Sequence, residues 1–303
     1  MANFTLRQLK YFDALARHGH FGRAADACAI SQPALSVQIK ELEQSLGTLL
    51  FDRSAKKVQL TTFGETFAPR AREILRAADE LDDLSRTMQD RLAGRLRLGV
   101  IPTVAPYLLP RVITRITAQY PAVALQVRET QTSGLIEELS QGGLDAAIVA
   151  LPVSEPTLTE VPLFSESFVL VRPAADADKP VPGRERLREM RLLLLEEGHC
   201  FRDQALSFCN MSPALPREWL DGSTLSTLVQ MVGVGFGVTL IPEMAVEIET
   251  RSADVAVSRL AAPEPQRTIG MVWRRSNPLH PRLAELAQVV RAATQSPAAR
   301  PAP

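Results

Sequence analysis

The chain has 303 residues, and its 34 basic and 34 acidic side chains leave no formal net charge. Hydrophobic residues make up 46% of it and charged residues 22%, which excludes a wholly disordered chain and a coiled-coil rod. No run approaches the ~18 consecutive apolar residues of a membrane span, and the N-terminus lacks the apolar core of a signal peptide. We therefore expect a cytoplasmic protein of about two or three domains, with no membrane partner. Three cysteines do not make a structural disulfide framework.

The charge is unevenly distributed along the chain. Residues 1–60 contain eight basic and five acidic side chains, a net charge of +3, so the remaining residues carry −3. A basic segment within a neutral chain is compatible with nucleic-acid binding, although a value this small also arises by chance.

The basic segment reads as three short helices. Thr5 is placed to cap the first helix, Phe21 to Cys28 form the second, and Ser31 caps a third that ends at Gly47. We expect four apolar side chains of the third helix to point partly or wholly inward: Leu35, Val37, Ile39 and Leu42. Two helices joined by a short turn are typical of the DNA-binding helix-turn-helix, although a generic three-helix cluster with a polar face has the same pattern.

A recognition helix presents its N-terminal side chains to the edges of bases. The residues with suitable position or hydrogen-bonding groups here are Gln32, Pro33, Ser36 and Gln38. The hairpin-like segment that follows carries Arg53, Lys56 and Lys57 near its tip. We expect these three to contact phosphates, which fixes register without reading sequence.

The pattern FxRAADxCxISQPALSxQIKxLExxLGxxLFxR, followed by a basic segment and TxxG, resembles the LysR-type transcriptional regulators. The resemblance covers nearly all of residues 5–66. It implies an α/β protein with an N-terminal winged helix-turn-helix, a long linker helix and a two-lobed α/β effector domain like a type 2 periplasmic binding protein. The domains expected are residues 1–61, 62–90 and 91–303, with lobe I at about 91–163 and 268–303 and lobe II at about 164–267. The partners expected are promoter DNA, RNA polymerase and further copies of the chain, as a homodimer assembling to a homotetramer.

The linker segment has a heptad pattern of small and apolar residues. They follow at alternating steps of four and three residues: Phe67, Ala71, Ile74, Ala78, Leu81, Ser85 and Met88. This spacing predicts a coiled-coil-like dimerisation seam. A single helix packed on its own domain would show the same stripe.

From Gly94 onward, short apolar strands alternate with helices. We predict strands at 95–101, 123–129, 145–150, 167–173, 192–197, 237–242 and 268–275, and helices at 106–119, 133–141, 223–235 and 280–294. This alternation predicts mostly parallel sheets. The family resemblance implies two crossover strands near 162–170 and 264–271, with a cleft between the lobes that is a default ligand site. We expect the tail, SPAARPAP, to be disordered.

Two cysteines lie at the ends of a predicted short helix. Cys200 follows His199 and falls in the first turn, where unpaired N–H groups lower the pKa of a thiol. Nine helical steps place Cys209 about 13 Å from Cys200 and on roughly the opposite face. A disulfide needs Cα atoms within ~7 Å, so a bond between the two requires the segment to unwind. This geometry favours a redox switch over a structural disulfide.

Simpler explanations of these cysteines remain open. Free cysteines are often buried as small hydrophobic residues, which suits Cys209 beside Phe208 and also Cys28 in the head. A metal site from His199, Cys200 and Cys209 lacks the close-paired spacing of zinc ligands. We expect no metal and no cofactor.

The segments EEGHCFRDQALSFC (196–209), IPTVAPYLLP (101–110) and RTIGMVWRR (267–275) extend the resemblance to the hydrogen-peroxide sensors of the LysR family. It implies that Cys200 is the peroxide-reactive cysteine and Cys209 the resolving one, joined reversibly as a disulfide. It also implies that five residues surround the peroxide: Thr103, Thr132, His199, Asp203 and Arg267. Thr103 and Thr132 have an alternative role as helix N-caps.

We therefore expect a redox-responsive transcriptional regulator of oxidative-stress genes, and not an enzyme. Two rivals remain. The first is a LysR-type regulator whose inter-lobe cleft binds a small metabolite while the cysteines are inert. The second is a thiol peroxidase that carries a DNA-binding head.

Overall fold

The computed structural model describes residues 4–52, 58–87, 92–209 and 221–295, and the chain divides into two units after Ser85. The first unit contains four helices and a small hairpin among the described residues. These elements are α1 Leu6–His18, α2 Phe21–Ala27, α3 Gln32–Leu46, β1 Phe51–Asp52, β2 Gln59–Leu60 and α4 Thr62–Thr87. Strands β1 and β2 pair in antiparallel register.

The ends of the first helices follow from their sequence. The Thr5 hydroxyl accepts from the Gln8 N–H and the Gln8 side chain accepts from the Thr5 N–H, which makes a reciprocal capping box. The Ser31 hydroxyl accepts from the Ala34 N–H at the start of α3. Gly47 ends α3 at φ 69°, a left-handed conformation that costs glycine little. The sequence predictions of these boundaries are confirmed.

Helix α4 carries the predicted dimerisation seam, and its first half packs within the chain. The Phe67 ring stands edge-on to Phe12 at 5.1 Å, and Ala71 is buried in the core of the first unit. Further along, Ala78 is half-buried, while Ile74 and Leu81 are 43% and 67% exposed. Met88 lies outside the described residues. Within one chain, the start of the stripe covers the head and the later positions stay accessible.

The second unit alternates strands and helices. In chain order they are β3 Gly94–Val100, α5 Ala105–Gln119, β4 Val123–Glu129, α6 Thr132–Ser140, β5 Ala146–Leu151, β6 Leu158–Pro173, α7 Arg184–Glu189, β7 Leu192–Leu195, α8 Cys200–Phe208, β8 Asp221–Gly222, α9 Leu225–Gly233, β9 Val238–Pro242, α10 Val246–Glu249, β10 Val255–Arg259, β11 Gln266–Arg274 and α11 His280–Gln295. A 3₁₀ turn at Glu243–Ala245 follows β9.

The strands form a path in the order β4-β3-β5-β11-β6-β9-β7-β8, with β10 paired to β6. The prediction of mostly parallel sheets is wrong. Strand β3 pairs in parallel with β4 and β5, and β7 with β8 and β9, but every described pairing of β6 and β11 is antiparallel. These two long strands pair with each other in the middle of the path. The chain crosses along them between the two halves of the second unit, and they therefore run antiparallel to their neighbours.

Two hydrophobic cores lie on the two halves of this path. The first core, built on β3, β5 and β11 and covered by α5 and α11, includes Leu98, Ile148 and Trp273. The second core, built on β6, β7 and β9 and covered by α8 and α9, includes Phe168 and Leu240. The Tyr107 side chain comes from α5 yet packs in the second core. The paired crossover strands β6 and β11 lie where the two cores meet.

The described elements agree with the predicted fold class: an α/β protein with a three-helix N-terminal unit and a small hairpin, a long helix, and an α/β unit built around two cores. Within the described ranges, none of the helices combines the length and the apolar character that a membrane span requires.

Candidate functional site: the two thiols of helix α8 and the polar edge of helix α3

Helix α3 presents a polar edge above a buried apolar stripe. Leu35, Ile39 and Leu42 are fully buried, whereas Gln32 and Pro33 are exposed. Further along, Ser36 and Gln38 are half-buried, and the Gln38 amide donates to Glu41 at 2.7 Å. The residues expected to read bases therefore stand on the side of the helix away from the core.

One apolar residue of α3 does not fit the expected pattern. Val37 is 53% exposed, so the prediction that it points inward is wrong. It lies one turn after Pro33, off the stripe of Leu35 and Ile39. Its methyl groups suit contact with a thymine methyl in the major groove. The basic residues expected at phosphates, Arg53, Lys56 and Lys57, lie outside the described residues.

Helix α8 separates the two cysteines of the second unit. Cys200 is its first residue, is half-buried and packs against the first core. Cys209 follows its last residue and is fully buried in the second core. Both are free thiols. The helical prediction for 200–209 is confirmed, and at ~1.5 Å per residue the helix holds the two Cα atoms about 13 Å apart.

The Cys209 thiol is set into an apolar environment beside two arginines of α7. Burial raises the pKa of Cys209 to about 11, and the positive charges of Arg188 and Arg184 act in the opposite direction. The Arg188 Nε donates to the Cys209 carbonyl at 2.6 Å, and the Arg184 guanidinium lies 4.5 Å from the Phe208 ring centre. The thiol is therefore held protonated near neutral pH at the end of an anchored helix.

His199 immediately precedes Cys200 and is buried. Desolvation lowers the pKa of its imidazole, against the opposing charge of Glu196. Its ordinary pKa is already ~6.5, so His199 is neutral at pH 7. It forms no side-chain cap on α8. A neutral imidazole can accept or donate a proton, and supplies no fixed positive charge to the segment that begins with Cys200.

Arg267 and Thr103 come together in a buried network. The Arg267 Nη1 donates to the Thr103 Oγ1 at 2.8 Å, and Nη2 donates to the Thr103 carbonyl at 3.0 Å. The guanidinium also pairs with Glu166 and lies 5.4 Å from the ring centre of Phe201, the residue after Cys200. Thr103, Arg267 and the start of α8 are thus joined by direct contacts.

Thr132 has a buried hydroxyl, and no hydrogen bond to it is found in the described part of the chain. Its neighbour Gln131 donates from Nε2 to the Glu197 carbonyl at 3.4 Å, and a Cβ added at Gly198 would stand 2.5 Å from the Gln131 Oε1. The start of α6 therefore lies against the residues that lead into α8. An unpaired buried hydroxyl in this place is available to a bound molecule.

The alternative role of the two threonines as helix caps is wrong. The residue before α5 is Val104 and the residue before α6 is Gln131, and neither caps its helix with a side chain. Thr103 instead accepts from Arg267.

Asp203 differs from the other predicted site residues because it is exposed on α8. Its neighbour Arg202 donates from Nη1 to the Leu195 carbonyl at 2.8 Å. The structure therefore brings Thr103 and Arg267 into direct contact, places Thr132, His199 and Cys200 on adjoining segments, and leaves Asp203 facing solvent.

Sequence reasoning missed Glu166. Its side chain is 7% exposed and forms a 2.7 Å ion pair with Arg267, whose side chain is fully buried. The two residues face each other across β6 and β11. A carboxylate within a predicted crossover strand was the available signal, but its partner depends on strand register.

The segments that adjoin Cys200 carry hydrogen-bonding groups and an ion pair whose two charges cancel. Across the described residues, no group of three or more His, Cys, Asp and Glu could hold a metal ion. The hydroxyls of Thr103 and Thr132 and the N–H groups at the start of α8 suit a small, uncharged, hydrogen-bonding molecule.

Two family models match the chain. Residues 6–65 match the bacterial regulatory helix-turn-helix protein of the lysR family, and residues 89–295 match the LysR substrate binding domain. Among curated proteins, a probable hydrogen peroxide-inducible genes activator from Streptomyces viridosporus is 44% identical over 95% of this chain and 94% of its own.

Solved structures give the same result. A full-length OxyR variant from Pseudomonas aeruginosa matches with a TM-score of 0.75 and 38% identity over 96% of each chain. A cysteine mutant of Corynebacterium glutamicum OxyR, described as H2O2-bound, matches with a TM-score of 0.66 and 34% identity over 96% of this chain and 92% of its own. The chain belongs to the LysR family of bacterial transcriptional regulators, and within it to the group of the hydrogen peroxide-inducible genes activators.

Proposed function

We propose that this protein is a peroxide-responsive transcriptional regulator in which Cys200 reacts with hydrogen peroxide and Cys209 completes a reversible disulfide. One observation carries the proposal: α8 begins with one free thiol beside a buried polar network and ends with a second thiol in another core. A thiol pair joined only by unwinding a helix converts an oxidation into a change of shape.

The chemistry has two steps. The Cys200 thiolate attacks one peroxide oxygen, the O–O bond breaks, and the departing hydroxide takes a proton to become water, leaving a sulfenic acid. The Cys209 sulfur then attacks the Cys200 sulfur, and the sulfenic oxygen leaves as a second water. Thr103 and Thr132 hold the peroxide oxygens, while Arg267 and neutral His199 support the departing oxygen. Asp203 takes part in proton transfer once α8 has moved.

DNA binding is the output of the proposed switch. Gln32, Pro33, Ser36 and Gln38 of α3 enter the major groove, and Arg53, Lys56 and Lys57 hold phosphates. Two-fold operators need two heads, which supports a homodimer through the seam of α4, assembling to a homotetramer. Because its expected partners, promoter DNA and RNA polymerase, are found in the bacterial cytoplasm, we expect the protein there. It regulates transcription, and peroxide is the signal to which it responds.

Thiol counting tests the proposal. After stoichiometric peroxide, wild type should lose two of its three free thiols, and peptide mapping should find Cys200 joined to Cys209. Cys200→Ser should keep both remaining thiols, whereas the matched variant Cys28→Ser should lose both of its own. Equal loss in wild type and Cys200→Ser, or loss in neither, would reject the proposal and favour a regulator that binds a metabolite between its lobes.

A further inference from the structure

Glu166 and Arg267 form a cross-strand pair on the two crossover strands. They stand in register between β6 and β11, and the Glu166 Oε1 accepts from the Arg267 Nε at 2.8 Å. Arg267 Nη2 lies 2.7 Å from the same oxygen. The second carboxylate oxygen accepts from the Met244 N–H at 3.2 Å. Both oxygens of Glu166 are therefore engaged, one by the guanidinium and one by the turn after β9.

The contacts of Glu166 fix the direction of the guanidinium. Because Nε and one edge of Nη2 face the carboxylate, the other edge faces Thr103, where it meets both the hydroxyl and the carbonyl oxygen. Because the guanidinium is planar and rigid, hydrogen bonds along one edge also fix the direction of the other edge. The position of Thr103 is thus set from β6, through Arg267.

The direction of the Thr103 hydroxyl proton follows from this geometry. Arg267 donates to Thr103 Oγ1, so that oxygen acts as an acceptor toward the arginine. A hydroxyl has one proton and two lone pairs, and its own proton must point away from the donor. Thr103 is therefore prepared as a hydrogen-bond donor on its other side.

The pairing also determines the charge that the site contributes. The Arg267 side chain is fully buried and Glu166 neutralises it. The electrostatic effect of the pair on the thiol is therefore small. The pair acts instead through the oriented N–H groups of Arg267. Peroxide is uncharged, so its reaction depends on donors aimed at the oxygen that leaves as hydroxide, where negative charge develops.

We propose that Glu166 is a positioning residue for the oxidation of Cys200, acting through Arg267 to aim the Thr103 hydroxyl at the departing peroxide oxygen. This inference rests on the proposed function. Glu166→Gln offers one oxygen in place of two, so it can serve Arg267 or Met244 but not both.

The test compares two reactions at the same thiol. Rapid-quench mass spectrometry follows oxidation of the Cys200 peptide by peroxide, and iodoacetamide alkylation reports the same thiolate without needing oriented donors. We expect Glu166→Gln to slow the peroxide reaction at least about tenfold, the effect of losing an aligned donor, while alkylation stays within about twofold or becomes faster. The matched control is Glu160→Gln, because Glu160 is also on β6 and accepts from the Val153 and Ser154 N–H groups. It should leave both reactions unchanged.

A second variant tests the route of action. Thr103→Val removes the hydroxyl with little change in shape and should give the same split between the two reactions. Because Glu166 acts through Thr103, the double variant should be no slower with peroxide than Thr103→Val alone. Three results would overturn the inference. They are a wild-type peroxide rate in Glu166→Gln, an equal fall in the rates of both reactions, and additive losses of peroxide rate in the double variant. A wild-type chain that is alkylated but does not react with peroxide would overturn the proposed function and this inference with it.

Discussion

Cys200 and Cys209 bound the same helix, yet their side chains pack into different hydrophobic cores. A bond between them must unwind α8, withdraw a sulfur from the second core and release the Cys209 carbonyl from Arg188. The reduced state is therefore held by packing at both ends of the helix. A disulfide that breaks these contacts would change how the two cores pack, whereas a structural disulfide would stabilise their packing.

The buried Cys209 thiol predicts a pH-dependent stability. Its pKa in the folded protein is raised to about 11 from an ordinary value of 9.0, mainly by burial. The folded chain holds this proton more tightly, so the contribution of Cys209 is fully present below about pH 9 and is lost as the pH rises through 11.

In a Cys200→Ser background, Cys209→Ala should remove this dependence. Between pH 8 and 10.5 the free energy of unfolding of the parent should fall by about 2 kcal/mol more than that of the variant. Urea unfolding at each pH measures the difference. Parallel curves would show that the thiol titrates alike in both states.

Tyr107 joins the two cores through a buried hydrogen bond, and removing it should cost stability. Its hydroxyl donates to the Glu249 Oε1 at 2.6 Å, and the Ser226 hydroxyl donates to Oε2 at 2.5 Å. Burial and the adjacent Glu249 raise the pKa of Tyr107, which keeps it a donor. Tyr107→Phe leaves a carboxylate oxygen unpaired, at a cost of about 1–3 kcal/mol.

The midpoint of urea unfolding should shift accordingly, with the slope unchanged. Tyr120→Phe is the matched control, because the Tyr120 hydroxyl accepts only a 3.3 Å bond from its exposed neighbour Gln119 among the bonds described. It should change stability by less than ~0.5 kcal/mol. Equal effects of the two variants would show that the Tyr107 bond adds nothing specific.

The basic segment between β1 and β2 should bind phosphate. Replacing Lys56 and Lys57 together by alanine should reduce the salt slope of log K by about 1.8 in magnitude, ~0.9 for each lost phosphate contact. Preference for operator over scrambled DNA should stay, because these lysines read no bases.

Fluorescence anisotropy across a salt series measures the slope. Lys179 of the second unit, paired with Asp176 at 2.5 Å, provides a control, and Lys179→Ala should leave the slope unchanged. An unaltered slope in the double variant would exclude phosphate contact by the two lysines.

The accessible half of the α4 seam should drive self-association. Ile74 and Leu81 expose apolar surface, and burying such side chains contributes about 1.5–3 kcal/mol each. Glutamate at either position should weaken the dimer at least about tenfold, measured by sedimentation of the full chain. Val234→Glu, at a 76% exposed valine away from α4, should leave the mass unchanged. A dimer unaffected by Leu81→Glu would place the interface elsewhere.

Local patterns were sufficient for the longer helices and for the ends of several strands, but the short helices α7 and α10 were not predicted. Thr5, Ser31 and Gly47 carry capping signals that act within one turn, and the structure shows them in those roles. The position of Cys200 at the start of α8 was also predicted, although His199 before it makes no side-chain cap.

Contacts between distant segments could not be derived in this way. Glu166 contacts Arg267, which lies 101 residues further along the chain. Strand register brings the two together, and no local pattern specifies that register. The antiparallel crossover strands were misjudged for a related reason: alternation of strands and helices does not show where the chain reverses between lobes. Val37 was misplaced because apolar character alone outweighed its position off the buried stripe.

Thr103 and Tyr107 lie four residues apart, Thr103 just before α5 and Tyr107 in its first turn. One end of this stretch is held by Arg267 in the thiol site, and the other is bonded to Glu249 across the cores. Under the proposed function, peroxide held at Thr103 would therefore lie one helical turn from the tyrosine that bonds to Glu249. Binding of peroxide and formation of the disulfide would then act first on different elements of the second unit, binding on the start of α5 and the disulfide on α8.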